Sequence, residues 1–457
     1  MPKFLDVTDP DLARSAIDAA SAGDSMADYV ITATGTACEA LNTVTGQVDY
    51  QVASGDHRPI FTSAIASLLS PSGPTGAKGG RIAFRGLLNF QSQLVIPSAI
   101  AIEGLVGWST EGQGIESSFN GSILLVTGVT GGNNNVVLRN LRIFGDLTKT
   151  SQCGIEFNDS GGYNMRDCIL EDVFVDHVGQ HAIKVRGGLT TTVCKIWMDR
   201  CELEFCGGDG INAEGDVGTR MVVNSSYIIK NVGCGFKGSA RQGIAFQGGT
   251  IISSNDSGNI QLSGSVREFS LNSCIITSDG LGSTPQISYV GASGVTVATS
   301  TVQIVGNTFK EGGAGIVNHI AVGTSYFAYA NIVGNSFQGH SGDAIVWRGD
   351  PSNVLNIKSN WGYNNVKGQI ATPFRSGRIG AGGTAAVPSS STTYTADGTD
   401  LMVVSTGGTG VSITITDPAG NTVQSALASF GGILPNGYRI NWGAYSTQPS
   451  SLYVGVV

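Results

Sequence analysis

Two carboxylates recur at one place in a phrase that itself recurs. Aligning Cys168 with Cys201 sets CILE over CELE and puts Glu171 and Glu204 at the same offset. Side chains of a strand alternate in direction, so if Cys168, Leu170, Cys201, Leu203 and Phe205 turn inward, Ile169, Glu171, Glu202 and Glu204 turn outward. On adjacent strands the two backbones lie about 4.8 Å apart. Like-charge repulsion between two such carboxylates raises one pKa, which yields an acid and a base from identical side chains. A carboxyl separation of about 5 to 5.5 Å is the one retaining glycosidases use. Asp176, His177, His181 and Asp209 fall in the neighbouring turns. The expected catalytic set is therefore Glu171, Glu204, Asp209 and Asp176, with His177, His181 and Glu202 as binding groups. The competing reading is that outward carboxylates only keep the fold soluble.

The elements that must position these residues repeat along the chain. One column reads Ile155, Ile183, Ile211, Phe236, Ile260, Ile287, Ile316 and Ile345, at intervals of 28, 28, 25, 24, 27, 29 and 29. A second reads Cys168, Cys201, Ser226, Thr250, Cys274, Thr308 and Ser336, at intervals of 33, 25, 24, 24, 34 and 28. Self-similarity at this period marks a solenoid. The repeating segments are short, β-branched and bounded by Gly, Asn, Ser and Asp, which specifies strand over helix. Stacked coils bury a continuous core that no single coil could bury. Asn307 and Asn335, in the parallel phrases GNTF and GNSF, read as turn residues whose amides bond neighbouring backbone.

Over roughly residues 80 to 370 this periodicity resembles the single-stranded right-handed parallel β-helix of pectate-lyase-like enzymes and phage tailspikes. The phrase LVIPSAIAIEG is similar to the entry rungs of many such proteins. Residues 1 to about 70, with the stretch ADYVITATGTACEALNTVTG, resemble the N-terminal part of minor tail proteins from phages of actinobacteria. The resemblance implies attachment of that end to phage tail or baseplate proteins, a homotrimer, and a host surface glycan as ligand. It also implies a place in the virion, outside the cell. Calcium-dependent lyases of this fold use stacked Asp with a nearby Arg or Lys; Asp172, Asp176, Asp199 and Asp209 could stack so, but no basic residue is clearly paired with them in the sequence, which ranks lyase chemistry below hydrolysis.

Composition agrees with an all-β chain: 66 of 457 residues are Gly and only 13% are charged, against a usual charged share of about 25%. Residues 153 to 216 hold 12 Asp and Glu against 5 Lys and Arg, a balance of −7 within a whole-chain charge of −8. An acidic patch without a basic run argues against nucleic acid as ligand. Cysteine spacing suggests no metal site, no cofactor fingerprint appears, and the cysteines read as interior thiols. The start MPKFLDVTDP lacks a secretory h-region, and no apolar run is long enough to insert in a membrane. That speaks against a secreted lyase or hydrolase and leaves, beside the tailspike, a purely structural or adhesive β-helix.

The expected organisation has three parts. Residues 1–75 carry a helix over 1–24, a small β-meander and a capping helix over His57 to Leu69. Residues 76–374 form the β-helix of about ten coils. Residues 375–457 form a β-sandwich or jelly roll for trimerisation or receptor binding. In that last part Trp442, Tyr438 and Tyr445 could offer a sugar-stacking platform, with core or subunit contact as the alternative.

Overall fold

The computed structural model describes residues 27–53, 55–73, 75, 78–97, 99–105, 113–127, 135–158, 165–186, 194–217, 219–240 and 243–259 of a first compact unit, which ends at Asn259. In the second unit it describes 260–263, 268–278, 285–290, 301–312, 316–319, 329–340, 345–347, 354–358, 360–363, 370–371, 393–395, 401–406, 413–417, 419–427, 430–434, 439–442 and 451–456. The helix expected over 1–24 lies outside the described residues.

The first unit is a parallel β-solenoid with three strand ladders. The first face stacks Ile100–Gly104, the start of Val137–Phe144, the start of Met165–Asp176, then Cys194–Asp199, Thr219–Asn224 and Gly243–Gln247. On the second face lie Leu87–Phe90, Gly114–Ser117, the ends of Val137–Phe144 and Met165–Asp176, then Glu202–Glu204, Tyr227–Ile229 and Ile251–Ser253. The third face stacks Leu94–Ile96, Ser122–Thr127, Cys153–Asn158, Ile183–Arg186, Ile211–Val217 and Phe236–Ala240. Each face turns its alternate apolar residues inward: Leu138, Leu170, Met198 and Val223 from the first, Ile143, Val175, Leu203 and Ile228 from the second, Ile155, Ile183, Ile211 and Phe236 from the third, all buried.

The first column of the sequence repeat is a true spatial column, since Ile155 pairs with Ile183, Ile183 with Ile211, and Ile211 with Phe236. The second column is corrected. Cys168 pairs with Ile196 on the first face, whereas Cys201 opens the second face, bonded through its N–H to Ser226 Oγ. The reason is a corner between the faces. Asn140, Asp172, Arg200 and Ser225 take left-handed φ of 51, 52, 51 and 49°, so similar apolar phrases sit on both sides of a bend and align by sequence without aligning in space. A second corner follows at His177, Phe205, Lys230 and Ser254, with φ of 54, 51, 55 and 55°. It interrupts the strand alternation and turns Phe205 outward, to 38% exposure, where an inward side chain was expected.

Behind that second corner a buried amide ladder holds the backbone. Asn231 Oδ1 accepts from Cys206 N–H and Asn255 Oδ1 from Asn231 N–H, while the Nδ2 groups donate to Leu203 O and Ile228 O.

One end of the solenoid is closed by the expected meander and helix. Tyr29–Thr34 pairs in parallel with Gly80–Arg85 and antiparallel with Ala37–Asn42, which pairs antiparallel with Gln47–Val52. The helix Arg58–Leu68, started by Pro59, buries Ile60, Phe61, Ala64, Ile65 and Leu68, and Phe61 packs edge-on against Phe84 and Phe90.

The second unit repeats the parallel pattern. Ile260, Ile287, Ile316 and Ile345 follow one another in register. Asn307 and Asn335 perform the turn role read from the sequence: Asn307 Oδ1 accepts from Cys274 N–H and Asn335 Oδ1 from Asn307 N–H. Cys274 therefore stacks on Asn307, and Thr308, paired with Ser336, lies one residue past its expected place. From Thr393 on, the pairing is antiparallel, in a sheet of four strands and a sheet of three.

Candidate functional site

The outer side of the second face carries two rows of side chains, two residues apart along each strand. The first row runs Leu87, Gly114, Arg142, Phe174, Glu202, Tyr227; the second runs Asn89, Glu116, Phe144, Asp176, Glu204, Ile229. Asp176 and Glu204 are register partners on neighbouring parallel strands, whose backbones are about 4.8 Å apart. They form the carboxylate pair that the sequence reading had assigned to Glu171 and Glu204.

Their environments differ. Asp176 is only 2% exposed, and its Oδ2 accepts from Arg142 Nη2 at 2.8 Å. Its Oδ1 has no hydrogen-bond partner among the described residues and lies 3.6 Å from His177 Nδ1, which has none either. Glu204 is half-buried, and burial pushes its carboxyl above the ordinary range, with further upward pressure from Glu202 and Asp176 and relief from Lys230 and His177. Glu202 is raised by burial and by Asp176, against Arg142.

Rings flank this pair at the second corner. Phe144 and His177 lie 5.1 Å apart, His177 and Phe205 5.4 Å, each pair tilted by about 30°. Lys230 Nζ sits 5.1 Å from the Phe205 centroid, and Arg142 Cζ 4.9 Å from that of Phe174. The left-handed backbone at His177, Phe205 and Lys230 is what lifts these side chains out in one column.

Glu171 does not join this cluster. It lies on the first face, across the Asp172 corner, and its register partner is Asp199. Arg139 Nε donates to it at 2.6 Å and Arg200 Nη2 at 2.7 Å, and these bonds, Arg200's first, hold its carboxyl below the ordinary range. Arg200 also binds Asp172 and Asp199, and Asn224 Nδ2 donates to Asp199 Oδ1 at 2.6 Å. The basic partner for Asp172 and Asp199, not evident in the sequence, is thus Arg200, and one guanidinium engages three carboxylates in an inter-coil clasp.

Asp209 and His181 meet in the turns that lead from the second corner into the third face. Asp209 Oδ1 accepts from Cys234 N–H at 2.7 Å and Oδ2 from Asn212 Nδ2 at 2.8 Å. His181 Nδ1 accepts from Asp209 N–H at 3.0 Å, which places the ring proton of the neutral form on Nε2. The Asp209 carboxylate is thus committed to the Cys234 N–H and the Asn212 amide, and His181 Nδ1 to the Asp209 N–H. Tyr438 and Tyr445 lie outside the described residues; Trp442 ends the strand Arg439–Trp442, and its side chain is not described.

Sequence reasoning passed over Arg142, Phe144, Phe174, Phe205 and Lys230. The signal was present in the i, i+2 pairs Arg142/Phe144, Phe174/Asp176 and Glu202/Glu204, which recur at steps of 32 and 28 residues.

No family model and no curated protein matches the chain. Among solved structures it is similar to the A-module of mannuronan C-5 epimerase AlgE4 from Azotobacter vinelandii, at 14% identity and a TM-score of 0.43, over 70% of this chain and 87% of that one. It is also similar to tailspike protein 4 of bacteriophage CBA120 (11%, 0.43, over 88% and 66%) and to the tailspike of Acinetobacter phage vB_ApiP_P1 (10%, 0.42, over 89% and 86%).

Proposed function

We propose that the chain is a phage tail fibre or tailspike, a virion protein acting outside the cell, whose solenoid binds a host surface polysaccharide on its second face and hydrolyses it. The observation that carries this is the Asp176/Glu204 pair, in register on adjacent strands and flanked by the column Phe144, His177 and Phe205. Aromatic faces suit the apolar faces of sugar rings, and beneath them Asp176 Oδ1 is buried without a hydrogen-bond partner among the described residues.

Glu204, raised in pKa, is the general acid. It gives its proton to the glycosidic oxygen as the C1–O bond breaks, while the Asp176 carboxylate, oriented by Arg142 and uncovered as the partly exposed His177 ring beside it swings aside, attacks C1 and forms a glycosyl ester. Glu204, now ionised, takes a proton from water, whose oxygen replaces Asp176 on C1. Both carboxyls return to their starting states with one water consumed. Adjacent strands favour the short carboxyl separation of retaining enzymes, so the anomeric configuration is kept. In this reading the N-terminal region attaches to tail proteins and three chains assemble.

The test is incubation of the full-length protein with purified host surface polysaccharides, scoring new reducing ends and unsaturated products. Glu204→Gln and Asp176→Asn should each abolish new reducing ends. Unsaturated products would replace hydrolysis by elimination, and binding without any product would leave an adhesive fibre.

A further inference from the structure

The two outer rows of the second face do not run off the solenoid at their N-terminal end. They stop against the meander. The strand Tyr29–Thr34 continues beside Gly86, so closely that a Cβ on Gly86 would lie 2.3 Å from the Ala33 carbonyl oxygen. The hairpin turn at Gly35 and Thr36 and the loop at Gly55 then stand over Leu87 and Asn89. Together they form a half-open pocket of about 440 Å³, within the range of small-molecule sites, about 300 to 1,000 Å³.

Its lining suits a pyranose. Leu87, 42% exposed, offers an apolar wall, and Thr36, Asn89, Gln113 and Glu116 offer hydroxyl, amide and carboxylate groups. Gln113 is fixed in place, its Oε1 accepting from Gly86 N–H at 2.6 Å. Gly35 and Gly55 have left-handed φ of 62 and 79°, a backbone that glycine adopts without strain, and they leave those two points of the wall without side chains.

Glu116 also belongs to the second outer row, followed by Phe144, Asp176 and Glu204. Two strand steps, roughly 10 Å, separate its strand from that of Asp176, and three, roughly 14 Å, from that of Glu204. A pyranose ring with its linkage oxygen is comparable in length to one such step, itself about 5 Å.

We infer that this cavity is a blind terminal subsite for the end sugar of the polysaccharide chain, so that cleavage releases short oligosaccharides of defined length. The inference rests on the glycan-cleaving reading of the second face and deepens it. With the chain end in the cavity, the bond presented to Asp176 and Glu204 lies about two to three sugars from that end, by the strand-step count.

Two arms test it. In the first, the full-length protein digests a polysaccharide that it cleaves, and products are sized by mass spectrometry. The wild type should release a narrow set of short oligosaccharides from the start of the reaction; Thr36→Trp, on the exposed turn, and Glu116→Ala should lengthen and broaden that set. Random mid-chain products from the wild type, or an identical product set in both variants, would overturn the inference and leave the catalytic reading standing. In the second arm the probes are free glucose, galactose, N-acetylglucosamine, rhamnose and glucuronic acid, observed by saturation-transfer NMR on Glu204→Gln. Transfer to at least one sugar that disappears on adding Thr36→Trp supports the subsite even if no polysaccharide is cut. Transfer to none of the five overturns it.

Discussion

Replacing Asn231 by Ala should open the solenoid at the corner that carries Phe205 and Lys230. Asn231 is fully buried, and its amide spans two coils: Oδ1 accepts from Cys206 N–H at 3.1 Å, and Nδ2 donates to Leu203 O at 3.2 Å and Asn255 Oδ1 at 2.9 Å. Truncation leaves Cys206 N–H and Leu203 O without these partners, while Asn255 Oδ1 keeps the Asn231 N–H at 3.1 Å. Each orphaned buried group costs about 1–3 kcal/mol, so the loss should be about 2–6 kcal/mol. Asn231→Asp retains the acceptor for Cys206 but sets a buried carboxylate against two oxygens, so at neutral pH it should cost more than Ala. Urea midpoints measure the sum, and hydrogen exchange of the Cys206 amide reports the site itself. A loss below about 1 kcal/mol for Asn231→Ala, with Cys206 exchange unchanged, would refute the view that the amide ladder holds the corner.

Glu204→Gln should raise stability at neutral pH, because a pKa raised by burial means that the folded site disfavours the charge; the gain should fade as pH falls below the ordinary carboxylate value, where both states are protonated. Glu171→Gln should do the opposite, lowering the melting temperature at neutral pH, with the difference lost as pH falls through the depressed pKa; thermal melts from pH 3 to 8 separate the two signs. Burial pushes the thiols of Cys168 and Cys201 up to about 12, so both should resist iodoacetamide in the native chain and react after denaturation. Cys201→Ser should cost less than about 1 kcal/mol in a urea melt, because Ser226, its neighbour in the next coil, already bonds Asn224 O at 2.7 Å and Asp199 O stands ready in the same way. Light scattering at micromolar concentration should give three chains per particle, and a monomer would remove the trimer from the proposal.

The solenoid was legible because its third face is regular: Ile155, Ile183 and Ile211 pair at the spacing read from the sequence. The candidate site was only half legible. Asp176, His177, Glu202 and Glu204 come together as a group, but Glu171 was matched to Glu204 through a cysteine alignment that a left-handed corner invalidates. A corner residue with positive φ leaves little trace in a sequence when it is Asp, Arg, Ser, His, Phe or Lys instead of Gly. Arg142 and Phe144 were passed over for a related reason, since strand i, i+2 pairs gain meaning only once the rung above them is known.

The meander at the N-terminal end also bears on how chains avoid one another. A parallel ladder that ends bare is a template for further strands, and here Tyr29–Thr34 occupies the template while its antiparallel return changes the direction of growth. The outermost strand, Gln47–Val52, is short, largely exposed and charged at Asp49, a poor seed for a neighbour. Without residues 27–52, the strand Gly80–Arg85 would present an open parallel edge beside the helix Arg58–Leu68, a template for strands of other chains.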